Sequence, residues 1–175
     1  NIAINSQIRS FVEYKRNVRQ DEIRQIDYEA IGVERQMKKP RVFLSYSHKD
    51  EEYKDALLEH MASLRRTGEV EEWHDRKIEP GKNWKNEISQ HLHNSTIIIF
   101  LISASFINSD YCVEVEAKTA FEKHLKGEAL LIPIVIRPTH WNDSEFANIQ
   151  SLPKDSKPVT AWENADMAWL DVVQG

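Results

Sequence analysis

At 175 residues the chain is long enough for one domain with a sizeable core. Its 23 basic and 28 acidic residues leave a formal charge of −5, which argues against a nucleic-acid binder built on a basic face. The single cysteine, Cys112, allows no internal disulfide and fits a reducing, cytoplasmic setting, and no segment approaches the roughly 20 apolar residues of a membrane span.

Residues 1–40 stand apart, with 8 basic and 6 acidic residues (net +2) against 15 and 22 (net −7) in the remainder. The chain starts at Asn1, so an excerpt of a longer protein is expected, and no signal peptide is seen. Ile23, Ile26, Ala30, Val33 and Met37 recur at steps of three and four, an amphipathic helix. Ile4, Ile8, Phe11 and Val18 form a similar stripe earlier, and Pro40 ends the helical segment. Two readings are open for it: a helix packing on its own domain, or a connector or oligomerisation helix.

After Pro40 the pattern alternates strand and helix. "RVFLSYS" (41–47) reads as a strand, and 51–66 as an amphipathic helix with Tyr53, Leu57, Met61 and Leu64 on one face. "VEEW" (70–73) is a short strand, followed by a polar loop, 74–83, with a turn signal at Pro80-Gly81. Trp84–His93 reads as a helix with Trp84, Ile88 and Leu92 spaced by four. "STIIIFLIS" (95–103) is a continuous apolar strand, of the kind found at the centre of a parallel sheet. Residues 112–125 form a helix, and "ALLIPIVI" (129–136) a second buried strand. Pro133 removes a ladder donor there, so this strand is expected near an edge or distorted. Residues 138–156 are irregular, "KPVT" (157–160) reads as a last short strand, and 163–173 as a final helix. Such alternation implies a parallel sheet covered by helices on both faces, with ligands bound beyond the C-terminal strand ends. The loops 45–50, 74–83 and 103–111 lie there.

Several chemistries have no support. There is no GxGxxG or Walker A sequence, and five glycines make a phosphate cradle improbable. No HExxH or CxxC exists, so no metal site is expected. The stretch "SDYCVEVEAKTA" (109–120) is more informative. Glu114 and Glu116 near a helix start compensate its dipole, or one of them does chemistry. With Val113, Ala117, Ala120 and His124 inward, Glu116 and Glu114 fall on opposite rims, and Cys112 shares a face with Glu116. A rim carboxylate facing the strand-end cleft suits stabilisation of an oxocarbenium-like transition state at a sugar. Cys112 is either a nucleophile near a helix N-terminus or a small packing residue.

"RVFLSYSHKD" (41–50), "EEWHDRKIEPGKNW" (71–84), "SASFINSDYCVEVE" (103–116) and "LLIPIVIRPTHW" (130–141) together resemble a Toll/interleukin receptor (TIR) domain of the bacterial type, over about residues 40–173. The resemblance divides the chain into a helical segment, 1–39, and a TIR domain, 40–175. It implies a flavodoxin-like α/β fold, a five-stranded parallel sheet with helices on both faces; the N-terminal helical segment read from periodicity precedes it and lies outside the resemblance. It implies an NAD+ glycohydrolase or cyclase, an NAD+ nucleosidase that uses NAD+ as substrate and needs no cofactor. Glu116 matches the family's catalytic glutamate because Ala120 follows at the family's offset of four. The family's tryptophan four before the glutamate is replaced by Cys112, with Tyr111 one residue earlier. By the same resemblance Tyr46, Ser47, Trp73, Asp75, Lys77, Tyr111 and Cys112 contact substrate, with Asp50 in the first loop. Ile78, Glu79, Pro80, Gly81, Lys82, Asn83 and Trp84 form the family's BB loop, through which TIR domains assemble. The implied setting is a cytoplasmic effector of bacterial defence or signalling, self-associating, with a fused sensor or partner domain. No direct nucleic-acid binding by this domain and no membrane association are expected. The alternative is a non-catalytic scaffold that signals by TIR–TIR assembly. A phosphoacceptor receiver fits less well, since Ser45-Tyr46-Ser47 stands where paired acids would follow the first strand.

Overall fold

The structure, a computed structural model, describes residues 39–109 and 111–174, together with residues 8, 10, 11, 13 and 14. Among the described residues four parallel strands form one sheet in the order β2-β1-β3-β4. They are β1 (Arg41–Ser45), β2 (Glu71–Trp73), β3 (Ile97–Ile102) and β4 (Leu130–Val135). The α-helices described after Pro40 are α1 (Glu51–His60), α2 (Ala62–Arg66), α3 (Trp84–Asn94), α4 (Ala104–Ile107), α5 (Lys118–Leu125) and α6 (Ala165–Gln174). A π-helix, Tyr111–Ala117, leads directly into α5.

The apolar run in β3 marks the centre of the sheet, and all six of its residues are 0 % exposed. Strand alternation sends them to two separate cores. Ile97, Ile99 and Leu101 pack with Leu57, Leu64, Trp169 and Val172 from α1, α2 and α6. Ile98, Phe100 and Ile102 pack with Ile88, Leu92, Phe106 and Ala120 from α3, α4 and α5. Each such buried side chain contributes about 1.5–3 kcal/mol relative to exposure, so β3 alone anchors both helical layers.

Pro133 sits in β4 opposite Phe100. Its carbonyl points away from β3 and accepts from Leu152 N at 2.9 Å. The missing donor therefore lies on the outer side, and no bond to β3 is lost. The strand is indeed the last of the four.

The fifth strand expected at residues 157–160 does not form. Val159–Ala161 is a 3-10 turn, and the chain meets the β4 edge at an isolated bridge between Ile134 and Leu152. Pro153 and Pro158 have no N–H to give a ladder, and Asp155 and Ser156 adopt positive φ of 59° and 57°. The helix expected over 51–66 is two, broken at Met61 (φ −85°, ψ 6°), whose side chain remains in the core. The helix expected over 112–125 is α-helical only from Lys118.

Buried Lys123 pins α5 to the end of α3. Its Nζ donates to the carbonyls of Leu92, His93 and Ser95 at 3.0, 2.5 and 2.6 Å, which satisfies carbonyls that the helix end leaves open. In the N-terminal segment Ile8 is buried and Phe11 packs against the same core as α1 and α6. Ile4, Val18 and the stripe from Ile23 to Met37 lie outside the described residues.

Candidate active site

From β1 the chain crosses to β2 on one side, and from β2 to β3 on the other. The loops that leave β1 and β3 diverge at this switch, which opens a crevice beyond the strand ends. A cleft of about 300 Å³ lies there. Its wall includes Ser45, Tyr46, His48, Asp75, Trp84 and Glu116.

Glu116 reaches the cleft from the π-helix, one turn past Cys112, which lines it too. Single π-helical turns inside longer helices are rare and concentrate at functional sites. Glu116 is 5 % exposed, and its Oε2 accepts a hydrogen bond from the Ser45 hydroxyl at the end of β1. Burial pushes its carboxyl up to about 7; the Ser45 hydrogen bond opposes this rise and the Asp75 charge adds to it. Cys112 is buried with Sγ 3.9 Å from the Tyr46 carbonyl. Burial, then the neighbouring Glu116, pushes its thiol up to about 11, so at neutral pH it is a packed thiol and not an activated nucleophile.

Asp75 fastens the loop after β2 to the loop after β1. It accepts from the Tyr46 hydroxyl at 2.9 Å and pairs with His48 Nε2. Burial and the Asp75 hydrogen bond hold the Tyr46 phenol well above its ordinary value, so it remains a donor. The adjacent Arg76 clamps Glu51 of α1 through two bonds of 2.8 Å. Ser47 lines the cleft and caps the turn His48–Asp50. Asp50 is fully buried behind that turn. It accepts from Ser103 Oγ at 2.5 Å and lies 2.8 Å from Arg137 Nη2, tying together the loops after β1, β3 and β4. It supports the cleft and is not part of its wall.

Trp73 and Lys77 are not in the cleft wall. Trp73 pairs in register with Phe43 and is sandwiched between that ring, at 5.3 Å, and the His91 imidazole, at 4.2 Å and 7° from parallel. Lys77 turns back onto Glu72, donating to its carbonyl at 2.7 Å and its carboxylate at 2.9 Å. The side chains of Tyr111 and Glu114 lie outside the described residues.

The loop from Ile78 to Trp84 has the turn that its sequence encodes. Lys82 N donates to Glu79 O at 3.2 Å, and Gly81 has φ +90°, the type II arrangement that Pro80-Gly81 favours. Ile78 packs on the core, Glu79–Lys82 are exposed, and Asn83 caps α3 by accepting from Asn86 N at 3.1 Å. Trp84, at the start of α3, lines the cleft while 40 % exposed. Among the described residues no group of three metal-ligating side chains occurs. Ser45 and His48 were not singled out by sequence. A serine ending the apolar run of β1 was the available signal for the first, and nothing marked the second.

The TIR-domain family model matches residues 42–170, and this chain belongs to that family. It is 42 % identical over 135 residues to the uncharacterized protein y4lF of Sinorhizobium fredii; the match covers 77 % of this chain and 42 % of that relative's length. Among solved structures, the TIR domain of the Toll-related receptor TRR-2 from Hydra magnipapillata is similar with a TM-score of 0.49 at 24 % identity, over 63 % of this chain and 81 % of that one. The TIR domains of the activated Roq1 resistosome directly recognizing XopQ are similar with a TM-score of 0.46 at 25 % identity, over 55 % of this chain and 57 % of that one. Among the described residues no helix is long and apolar enough to cross a membrane.

Proposed function

We propose that this TIR domain hydrolyses NAD+ at the nicotinamide–ribose bond, with Glu116 as the working carboxylate. The observation that supports this reading best is a nearly buried glutamate at the strand-end cleft, held by a serine hydroxyl and faced by polar and aromatic side chains. Nicotinamide in NAD+ is a cationic leaving group, so no strong general acid is required. The C1′–N bond breaks, neutral nicotinamide departs with the bonding pair, and positive charge develops at C1′. A carboxylate beside the ribose stabilises that charge. Water then adds to C1′ and gives its surplus proton to Glu116 or to solvent, yielding ADP-ribose. Attack by a ring nitrogen of the adenine instead of water gives a cyclic product. Tyr46 and Trp84 supply faces and a hydroxyl for a ribose or a flat ring, roles proposed from their place in the cleft.

NAD+ is thus a substrate and not a resident cofactor. The setting we propose is a bacterial defence or signalling effector that works on self-association through its Ile78–Trp84 loop, alongside a sensor or partner domain. Incubating concentrated domain with NAD+ and separating the products chromatographically tests this. Nicotinamide appearing in step with ADP-ribose or a cyclic isomer is the expected result. A second reading, a scaffold without catalysis, is favoured by Cys112 at the position of the family's tryptophan and by the exposed loop 79–82. It predicts unchanged NAD+ with intact assembly.

A further inference from the structure

We infer that Ser45 is the positioning residue for Glu116, fixing the carboxylate's orientation and keeping it ionisable in its buried setting. This rests on Glu116 as the working group. β1 reads Arg-Val-Phe-Leu-Ser, and its alternation points Ser45 to the same side of the sheet as Phe43. That side is otherwise an apolar core of Phe43, Ile98, Phe100 and Ile102. A hydroxyl 2 % exposed on such a face is costly unless it finds a partner. Its partner is Glu116 Oε2, across 71 residues of sequence. Ser45, Cys112 and Glu116 all line the cleft, so the hydroxyl at the end of β1 faces the π-helix that carries the other two.

With Oε2 held by Ser45, Oε1 is the oxygen we assign to a ribose hydroxyl. A donor to the charged form also counters the burial that drives the carboxyl toward its neutral state. The other titratable groups facing Glu116 across the cleft are Tyr46, His48 and Lys49 from the loop after β1, Asp75 from the loop after β2, and Cys112 on its own helix. Of these Asp75 acts against ionisation. Ser45 is the neutral donor that acts for it.

The test is a pH titration of the Glu116 carboxyl by NMR of isotope-labelled glutamate side chains, with E116Q to assign the signal. It is run on the protein without substrate for wild type, S45A and S45T, beside a pH–rate profile for NAD+ cleavage. S45A is expected to move the Glu116 midpoint up by about one pH unit or more. The acid limb of kcat should move in the same direction, with KM changed much less. S45T, which keeps the hydroxyl, should return both toward wild type. An unmoved midpoint in folded S45A overturns the inference, as does S45T matching S45A. If S45A fails to fold, S45C takes its place; its weaker donor must give a shift of the same sign, and no shift overturns the inference. A wild type that titrates as described yet leaves NAD+ intact would refute the hydrolase reading and leave the Ser45–Glu116 pairing standing.

Discussion

Glu116 is expected to destabilise the folded protein whenever it is ionised, and Glu116→Gln should therefore be a stabilising change at alkaline pH. The folded carboxyl is raised from an ordinary 4.5 to about 7. Between those values the native state binds more protons than the unfolded chain. Stability consequently falls as pH rises from about 4.5 through 7, and the loss is complete above the folded value. The shift of roughly 2.5 pH units corresponds to an upper figure of about 3 kcal/mol at pH 8. Glutamine keeps the size of the side chain and an oxygen to accept from Ser45, and it carries no charge to desolvate. For a chain of this length about 3 kcal/mol corresponds to roughly 6–12 °C in melting temperature. Differential scanning calorimetry of wild type and E116Q from pH 4.5 to 8.5 measures it. The two should melt nearly together near pH 4.5, diverge between about pH 4.5 and 7, and keep a nearly constant gap above that, with E116Q the more stable. A gap that is constant across this range, or that closes as pH rises, would refute the reasoning.

Three further outcomes follow from other parts of the molecule. Gly81→Ala should cost about 1 kcal/mol, because Gly81 has φ +90° and an added Cβ meets nothing within 4 Å, so only backbone strain is introduced. If the loop serves assembly, turnover should fall more than the melting temperature accounts for; losses in proportion would argue against that role. Lys123→Met should cost about 2–3 kcal/mol by chemical denaturation, since three carbonyls lose a charged donor at the end of α3; a loss below about 0.5 kcal/mol would show that water replaces the ammonium. On proposed self-association, nicotinamide release per molecule should rise with protein concentration; a flat rate on dilution would show that the unit works alone.

How far the sequence could be read differs between elements for physical reasons. The apolar run of β3 announced a central strand, and Pro133 announced the sheet's outer side, because burial and a missing donor are local properties. Gly81 was legible as the left-handed residue of a Pro-Gly turn for the same reason. Glu116 could be placed on a cleft-facing rim from helical spacing and family offset together, although its first turns are π-helical and not α-helical. Non-local features were not legible. Trp73 is drawn out of the cleft by its register with Phe43 and its stack on His91, neither of which is visible before the strands are paired. Lys77 finds Glu72 five residues back in preference to the cleft. The Tyr46–Asp75–His48 clasp joins two loops whose proximity exists only once β1 and β2 lie side by side. The missing fifth strand was hidden by "KPVT", whose β-branched Val159 and Thr160 suit a strand while Pro158 and the turn before it prevent a ladder.

The most direct test of the central claim is nicotinamide release from NAD+ by wild type and E116Q at high, matched protein concentration, with melting curves taken on the same samples. The account predicts that wild type releases nicotinamide and that E116Q, folded and at least as stable, releases at most a few per cent as much. Equal release by the two proteins would contradict the assignment of Glu116, and no release by either would contradict hydrolysis itself.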